Sequence, residues 1–361
     1  MRVALIHYWL INTRGGEKTL KAIGEVYPGA DIYTHVVDPA VAARDFPGHK
    51  VSTTFIGRLP FAKTLYQKYL PLMPYALEQL DLRQYDLVIS SESGPAKGVI
   101  VAPHTTHVCY CHSPMRYVWD LYPEYRQHVG ALTRFAMIPL LHRLRMWDQL
   151  SAQRVDDYVA NSQFVASRIA KYYRRNAAVI YPPVAIDQFS VSDVSEDFYL
   201  SVGQLVAYKK ADLLVEAFNA SGKPLIVIGE GALLSRLRTL AKPNVRLLGW
   251  QSSAVIRDHY RRCKAVVLPG AEDFGIVPVE AMACGKPVVA YGYGGAMETV
   301  IDGFSGVLFT EQTIGSLNEA IERLDSRAGQ FDRAAIRRHA EAFSLERFKS
   351  QFAAHITRLM T

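Results

Sequence analysis

With 361 residues, 49% of them hydrophobic and 21% charged, the chain is long enough for two domains with buried cores. No run of about 18 apolar residues is free of charge, which argues against a transmembrane helix, and four cysteines without a C-x-x-C pair argue against a disulfide framework and fit a reducing cytosol. The net charge of +7 is lopsided: residues 1–185 hold 21 Lys and Arg against 14 Asp and Glu, so the whole excess lies there and points to a polyanionic partner, nucleic acid or an anionic membrane face.

In chain order, short runs rich in Val and Ile alternate with helical patterns, which predicts parallel sheets flanked by helices. The first half offers such runs at 2–7, 31–37, 85–91, 106–111 and 157–162. The opening run leads into a polar turn without a small-residue cleavage site, so it reads as a buried strand and not as a signal peptide. Gly15 and Gly16 follow, before a helix opened by Glu17. Paired glycines let a ligand approach the backbone, and a helix amino end favours anions. Segment 55–77 carries three basic residues, several aromatics and no acid, while 132–147 mixes Arg with apolar residues at helical spacing. Each fits a core helix with an exposed basic face, or a surface resting on anionic lipid.

The stretch HTTHVCYCHSP at 104–114 gathers three histidines and two cysteines. Strand alternation puts His107, Cys109 and Cys111 on one face and Val108 and Tyr110 on the other. A C-x-C pair within a strand does not readily bring both sulfurs to one tetrahedral centre, and mid-strand cysteines usually pack as small apolar groups. These three therefore read as packing, and no metal is expected. His112 ends the strand, at the edge where open α/β sheets bind ligands. Arg116 follows as a candidate acceptor or phosphate contact.

Residues 179–197, with a Pro pair and then polar and acidic residues, predict the linker. The expected domains are thus 1–185 and 186–344. The second half has strand-like runs at 198–203, 223–231, 244–249, 264–270, 286–291 and 305–309. After the first of these come Gln204 and then Lys209, which suits a diphosphate counterion but equally an ordinary surface charge. Gly229-Glu230-Gly231 lacks a third glycine and reads as a turn. The most informative stretch is LPGAEDFGIVPVEAMACGKPVVAYGYGG at 268–295. A strand ends at Pro269-Gly270, a loop carries Glu272 and Asp273, and a helix starts near residues 275–277. The amides of Phe274, Gly275 and Ile276 are expected to point outward at its amino end, towards phosphate. Glu272 and Glu280 would face a ligand on that side, and each carboxylate can accept from a vicinal diol. The plainer alternative is a helix-end charge worth about 0.3–1 kcal/mol and a solvated glutamate. Two amphipathic helices close the chain, with Ser344 as a cap for the second and Glu346 in its first turn.

Together these stretches resemble the retaining glycosyltransferases of family four, and the resemblance covers nearly the whole chain. Its most specific part is the E-x7-E element from Glu272 to Glu280, followed by YGYGG. The resemblance implies an α/β GT-B fold, with two Rossmann-like doubly wound domains facing across a cleft. The second domain would hold the nucleotide sugar and the first the acceptor, and the last helix, 345–361, would cross back to the first. It implies that Glu272 lies by the donor sugar and that Glu280 binds the ribose hydroxyls, with Asp273, Phe274, Gly275 and Ile276 also on the donor side. The family's G-R-L-x-x-x-K pattern reads here from Gly203-Gln204-Leu205 to Lys209: the lysine matches and Gln204 replaces the arginine. His112 matches the active-site histidine, and Gly15 and Gly16 match the first-loop glycines that approach the donor phosphates and the acceptor.

The implied reaction moves a sugar from a nucleoside diphosphate sugar to an acceptor hydroxyl, with retention by a front-face route. No D-x-D occurs, so no metal bridging the diphosphate is expected, and no cofactor beyond the donor substrate. Likeness to bacterial polysaccharide and O-antigen mannosyltransferases puts GDP-mannose ahead of UDP-glucose-type donors, with a glycan or lipid-linked acceptor of cell-surface polysaccharide or lipopolysaccharide synthesis. The basic half would then rest through 55–77 and 132–147 on an anionic membrane and not on nucleic acid, giving a cytoplasmic protein peripheral on the inner membrane face. Two other classes fit the sequence less well. An oxidoreductase lacks its dinucleotide fingerprint in both halves. A non-catalytic nucleotide-binding protein would tolerate Gln204 but gives no reason for paired glutamates.

Overall fold

The computed structural model describes residues 1–123 and 130–361; the side chains of residues 131–133 and 136, which include Leu132, Thr133 and Ala136 of the basic segment 132–147, also lie outside the described residues. The chain divides into two compact units: Met1–Pro183 together with Phe348–Thr361, and Val184–Arg347.

Among the described residues, unit 1 is built on seven parallel strands: β1 (Val3–His7), β2 (Asp31–Thr34), β3 (Val51–Thr53), β4 (Leu87–Glu92), β5 (Thr106–Cys111), β6 (Asp157–Ala160) and β7 (Ala178–Val179). Their order is β3-β2-β1-β4-β5-β6-β7. β1 and β4 are buried along their whole length, which is why their apolar residues run together and do not alternate with polar ones. The order reverses between β1 and β4, and open sheets of this kind bind ligands beyond the strand ends at that switch. The helix Leu345–Met360 carries Phe348, Phe352 and Ile356 on one face at helical spacing, and all three are buried. Phe348 and Phe352 meet the Tyr110 ring edge-on at 5.6 and 6.1 Å. Polar contacts fix the same helix: Lys349 pairs with Glu25 at 2.6 Å, and His355 Nε2 hydrogen-bonds Asp157 Oδ2 at 2.7 Å.

Unit 2 repeats the plan with β8 (Tyr199–Val202), β9 (Leu225–Ile228), β10 (Val245–Gly249), β11 (Ala265–Leu268), β12 (Val288–Tyr291) and β13 (Gly306–Phe309). The order is β10-β9-β8-β11-β12-β13, again parallel throughout, so the switch point falls between β8 and β11. Two edge strands of unit 1 differ from the sequence expectation. β3 gives no apolar run to read, and β7 takes Val179, the first residue of the expected linker, and pairs it with Ala160. Both are three residues or shorter with half-exposed side chains, so neither leaves a hydrophobic pattern.

Candidate active site

At the switch point of unit 2, β8 runs out at Gly203 and Gln204, and Gln204 is exposed. A short 3-10 turn, Ala207–Lys209, then leads into the helix Ala211–Ser221. This turn delivers Lys209 to Glu272, which stands on the loop after β11. Lys209 Nζ donates to Glu272 Oε1 at 2.9 Å, and both side chains remain partly exposed. The 272–274 loop lies flat on the YGYGG segment: the Gly295 amide donates to the Glu272 carbonyl at 2.8 Å. A Cβ on Gly295 would come within 2.3 Å of Phe274 Cα, so only glycine permits this approach. The 229–231 segment does more than turn the chain. A Cβ on Gly229 would sit 1.8 Å from the Gly203 carbonyl oxygen, so this glycine lets the loop after β9 support the one bearing Gln204.

Gly275, in left-handed backbone at φ 94°, turns the chain into the helix Ile276–Ala283. Glu280 on this helix is half-buried, and its Oε2 accepts from the hydroxyl of Tyr260 at 3.0 Å. Asp273 and Ile276 are half-buried beside it. Phe274 is not a surface residue: its ring is buried and packs against Phe343 at 5.5 Å, which leaves its main chain as the part a ligand can use. No motif marks Tyr260, which lies on the amphipathic helix Ser253–Arg262.

In unit 1 the chemistry-bearing side chains converge on Ser91, at the end of β4. Its hydroxyl lies 2.9 Å from His112 Nε2, and its carbonyl accepts from His7 Nδ1 at 3.1 Å. Register explains this: His7 is opposite Ser91, and Cys111 is opposite Glu92 on the other side. The His112 amide donates to the Glu92 carbonyl at 2.7 Å, which extends the β5 ladder by one bond and fixes the histidine at the rim. Gly16 closes the group from the first helix, Gly15–Val26. A Cβ there would fall 2.6 Å from the Tyr8 hydroxyl and 3.6 Å from both His112 Nε2 and His7 Cε1. Gly15 is the first residue of that helix. Buried Glu17 accepts from the Arg14 amide at 2.9 Å and lies 3.8 Å from His7 Nε2. Burial alone would raise the Glu17 carboxyl; His7 and the amide contacts outweigh it and hold the group below its ordinary value. Arg116 is half-buried four residues beyond His112. Arg168, from the helix Gln163–Tyr173, anchors the turn between them by donating to Ser113 Oγ at 2.6 Å and pairing with Asp120.

Beneath β4 lies an ion cluster that composition could not reveal. Fully buried Lys97 donates to Glu92 Oε1 at 2.8 Å and pairs with Asp148, which accepts from Trp119 Nε1 at 2.7 Å and Tyr173 Oη at 3.0 Å. Burial opposes the charge on Lys97, but Asp148 and Glu92 hold it above its ordinary value. Cys109 and Cys111 pack in a hydrophobic cluster with Val155, Tyr158 and Tyr173. Burial pushes the Cys111 thiol well up, the opposite of what a nucleophile needs. His107 is also buried, with Nε2 3.0 Å from Ser90 Oγ.

Two family models match adjoining halves of the chain: Glycosyltransferase Family 4 over residues 13–188 and Glycosyl transferases group 1 over residues 185–339. An uncharacterized glycosyltransferase of Methanocaldococcus jannaschii is 32% identical over 47% of this chain and 49% of its own length. The D-inositol 3-phosphate glycosyltransferase of Geodermatophilus obscurus is 31% identical over 56% of this chain and 52% of its own. The chain thus spans about half the length of these curated relatives. Among solved structures, Anabaena HepE in complex with UDP and glucose superposes with a TM-score of 0.73 at 20% identity, covering 99% of both chains. The lipopolysaccharide outer core galactosyltransferase WaaB gives 0.71 at 18%, also covering 99% of both. At such identities the likeness fixes the fold, which is GT-B.

Proposed function

Because the chain belongs to the glycosyltransferases of the group 1 and family 4 type, we propose that it transfers a hexose from a nucleoside diphosphate sugar to an acceptor hydroxyl, with retention. The observation that carries this reading is the Lys209–Glu272 pair at the switch point of unit 2. A cation and a carboxylate held together beyond the ends of β8 and β11 can serve the two halves of one donor. Lys209 would turn to the diphosphate, and Glu272 would accept from sugar hydroxyls. Glu280, one helix turn and more along, would accept from the ribose diol. As the bond from the anomeric carbon to the phosphate oxygen breaks, charge grows on the leaving diphosphate; Lys209 and the amino end of the helix Ile276–Ala283 would stabilise it without a metal ion. The acceptor oxygen bonds to the same face of that carbon, and its proton passes to the departing phosphate. In unit 1, His112, held through Nε2 by Ser91, is the group we assign to hydrogen-bond the reacting sugar, with Gly16 letting the first helix close against Tyr8 and His112 and Arg116 as a contact for a charged acceptor.

GDP-mannose is the proposed donor on the sequence resemblance; the UDP bound by HepE favours a UDP-hexose as the second reading. The proposed acceptor is a lipid-linked glycan, and unit 1 offers a face for its membrane. On the helix Ala131–Ala152, Phe135, Ile138, Met146 and Leu150 are exposed, beside exposed Arg134 and Arg143. Phe61, Leu72 and Tyr75 are exposed in segment 55–77, and half-buried Leu70 of that segment packs into the same cluster as Leu141 and Leu144 of the helix. Apolar and basic side chains sharing one surface suit an anionic leaflet, with the protein lying on it. Among the described residues no helix is long and apolar enough to cross a membrane.

The test is release of nucleoside diphosphate from GDP-mannose and UDP-glucose, alone and with lipid-extract acceptors. Turnover with one donor, reduced by about two orders of magnitude in His112→Ala, is the expected result. His112→Ala turnover within a few-fold of the parent would remove the histidine's role, and binding without release from any sugar nucleotide would leave a nucleotide-binding protein.

A further inference from the structure

Tyr260 is buried completely on the helix Ser253–Arg262, and its hydroxyl donates to Glu280 Oε2 at 3.0 Å. Phe189 closes over it edge-on, with ring centroids 6.0 Å apart. Burial first, and then the carboxylate beside it, hold the phenol far above its ordinary value, so it remains a donor at any working pH. A phenol has one proton to give, and this one has no access to solvent. What it can do is fix the rotation of a carboxylate that, unlike itself, is only half-buried. An unanchored glutamate loses rotamer freedom each time it captures a ligand, whereas one held by a buried donor has lost it on folding.

We propose that Tyr260 is a positioning residue for nucleotide binding: by locking the Glu280 carboxylate it sets the preference for ribonucleotides over their deoxy forms. This rests on the reading of Glu280 as the ribose contact. The hydroxyl is the tyrosine's whole part in this, since its ring serves the core. Removing the oxygen therefore separates positioning from packing.

The experiment is calorimetric titration of the parent, Tyr260→Phe, Glu280→Gln and the double variant with GDP and UDP and with their 2′-deoxy and 3′-deoxy forms. Tyr260→Phe is expected to weaken the ribonucleotides about five- to ten-fold while leaving the affected deoxy form within about two-fold. The double variant should bind no worse than Glu280→Gln alone, since the two side chains act as one unit. Equal weakening of ribo and deoxy forms in Tyr260→Phe would reduce the tyrosine to a packing residue and overturn the proposal. If Glu280→Gln loses the ratio and Tyr260→Phe keeps it, the tyrosine's role alone falls. If Glu280→Gln keeps the ratio, the ribose reading of Glu280 fails and takes the proposal with it. Should Tyr260→Phe prove too unstable to purify, Tyr260→Leu, which also removes the hydroxyl and leaves Glu280 in place, must show the same loss of ratio.

Discussion

Gln204 stands exposed at the end of β8, in the loop whose other functional side chain, Lys209, is engaged with Glu272. In the family pattern this place belongs to an arginine, whose planar guanidinium grips phosphate oxygens in pairs; an amide offers dipoles and no charge. Gln204→Arg is therefore expected to tighten binding of the cognate nucleoside diphosphate about five-fold, on the order of 1 kcal/mol, with a steeper salt dependence. Titration at two ionic strengths checks this, and an unchanged affinity would show that the loop presents residue 204 away from the phosphates. At this scale the place of His112 at the rim of β5 was legible, because a histidine at the end of a buried apolar run has few other places to be. Ser91 was not: a second serine in VISS gives no hint that register will set its hydroxyl against that histidine. Phe274 is a different case: its backbone lies in the loop beside Glu272 and Gly275, while its aromatic ring goes to the core.

The helix Ala131–Ala152 turns an unusual mixture outward. Leu141 and Leu144 are buried with Met115 and Val118, yet Phe135 on the same helix is 75% exposed. Side chains like these at a water interface have apolar area to lose, at roughly 25 cal/mol per Å². Flotation with liposomes is expected to carry the protein only when anionic lipid is present, and Phe135→Ser should reduce the bound fraction several-fold at equal lipid. Equal flotation with neutral vesicles, or an unaffected variant, would dispose of the leaflet reading. The central elements were legible, since parallel strands covered on both faces must be continuous Val and Ile runs. The edges were not, because β3 and β7 have neighbours on one side alone and carry no such run. The choice between a core helix and a surface one at 132–147 turned on which side chains the rest of unit 1 covers, which periodicity cannot say.

For the molecule as a whole, acid is an expected weakness, and two buried histidines of unit 1 contribute to it. Burial pushes the imidazoles of His35 and His107 down to about 3, with Lys97 and Arg154 adding to the effect on His107. Both histidines regain an ordinary value near 6.5 on unfolding. Their contribution is thus complete above about pH 6.5 and is lost as the pH falls towards 3, because the unfolded chain binds protons that the folded one refuses. Between pH 7 and pH 5.5 the two together should remove about 2.5 kcal/mol, part of which Glu92 offsets, because its carboxyl, pushed up to about 7 by burial, takes up a proton in the folded state over the same window. Thermal midpoints across that window check this: His107→Gln, which keeps a polar partner for Ser90, should show a distinctly shallower fall, and an identical slope would place the titration elsewhere. The two-unit plan was readable from eleven apolar runs and a polar break, but the membership of the last helix was not a matter of pattern. Unit 1 takes Phe348 and Phe352 from beyond the whole of unit 2. At roughly 5–20 residues per second, a ribosome needs on the order of ten to thirty seconds to make the intervening chain. For that interval the newly made sheet waits with the Tyr110 face uncovered, an aromatic seam of the sort chaperones hold, so unit 2 is completed before unit 1 in the order of synthesis.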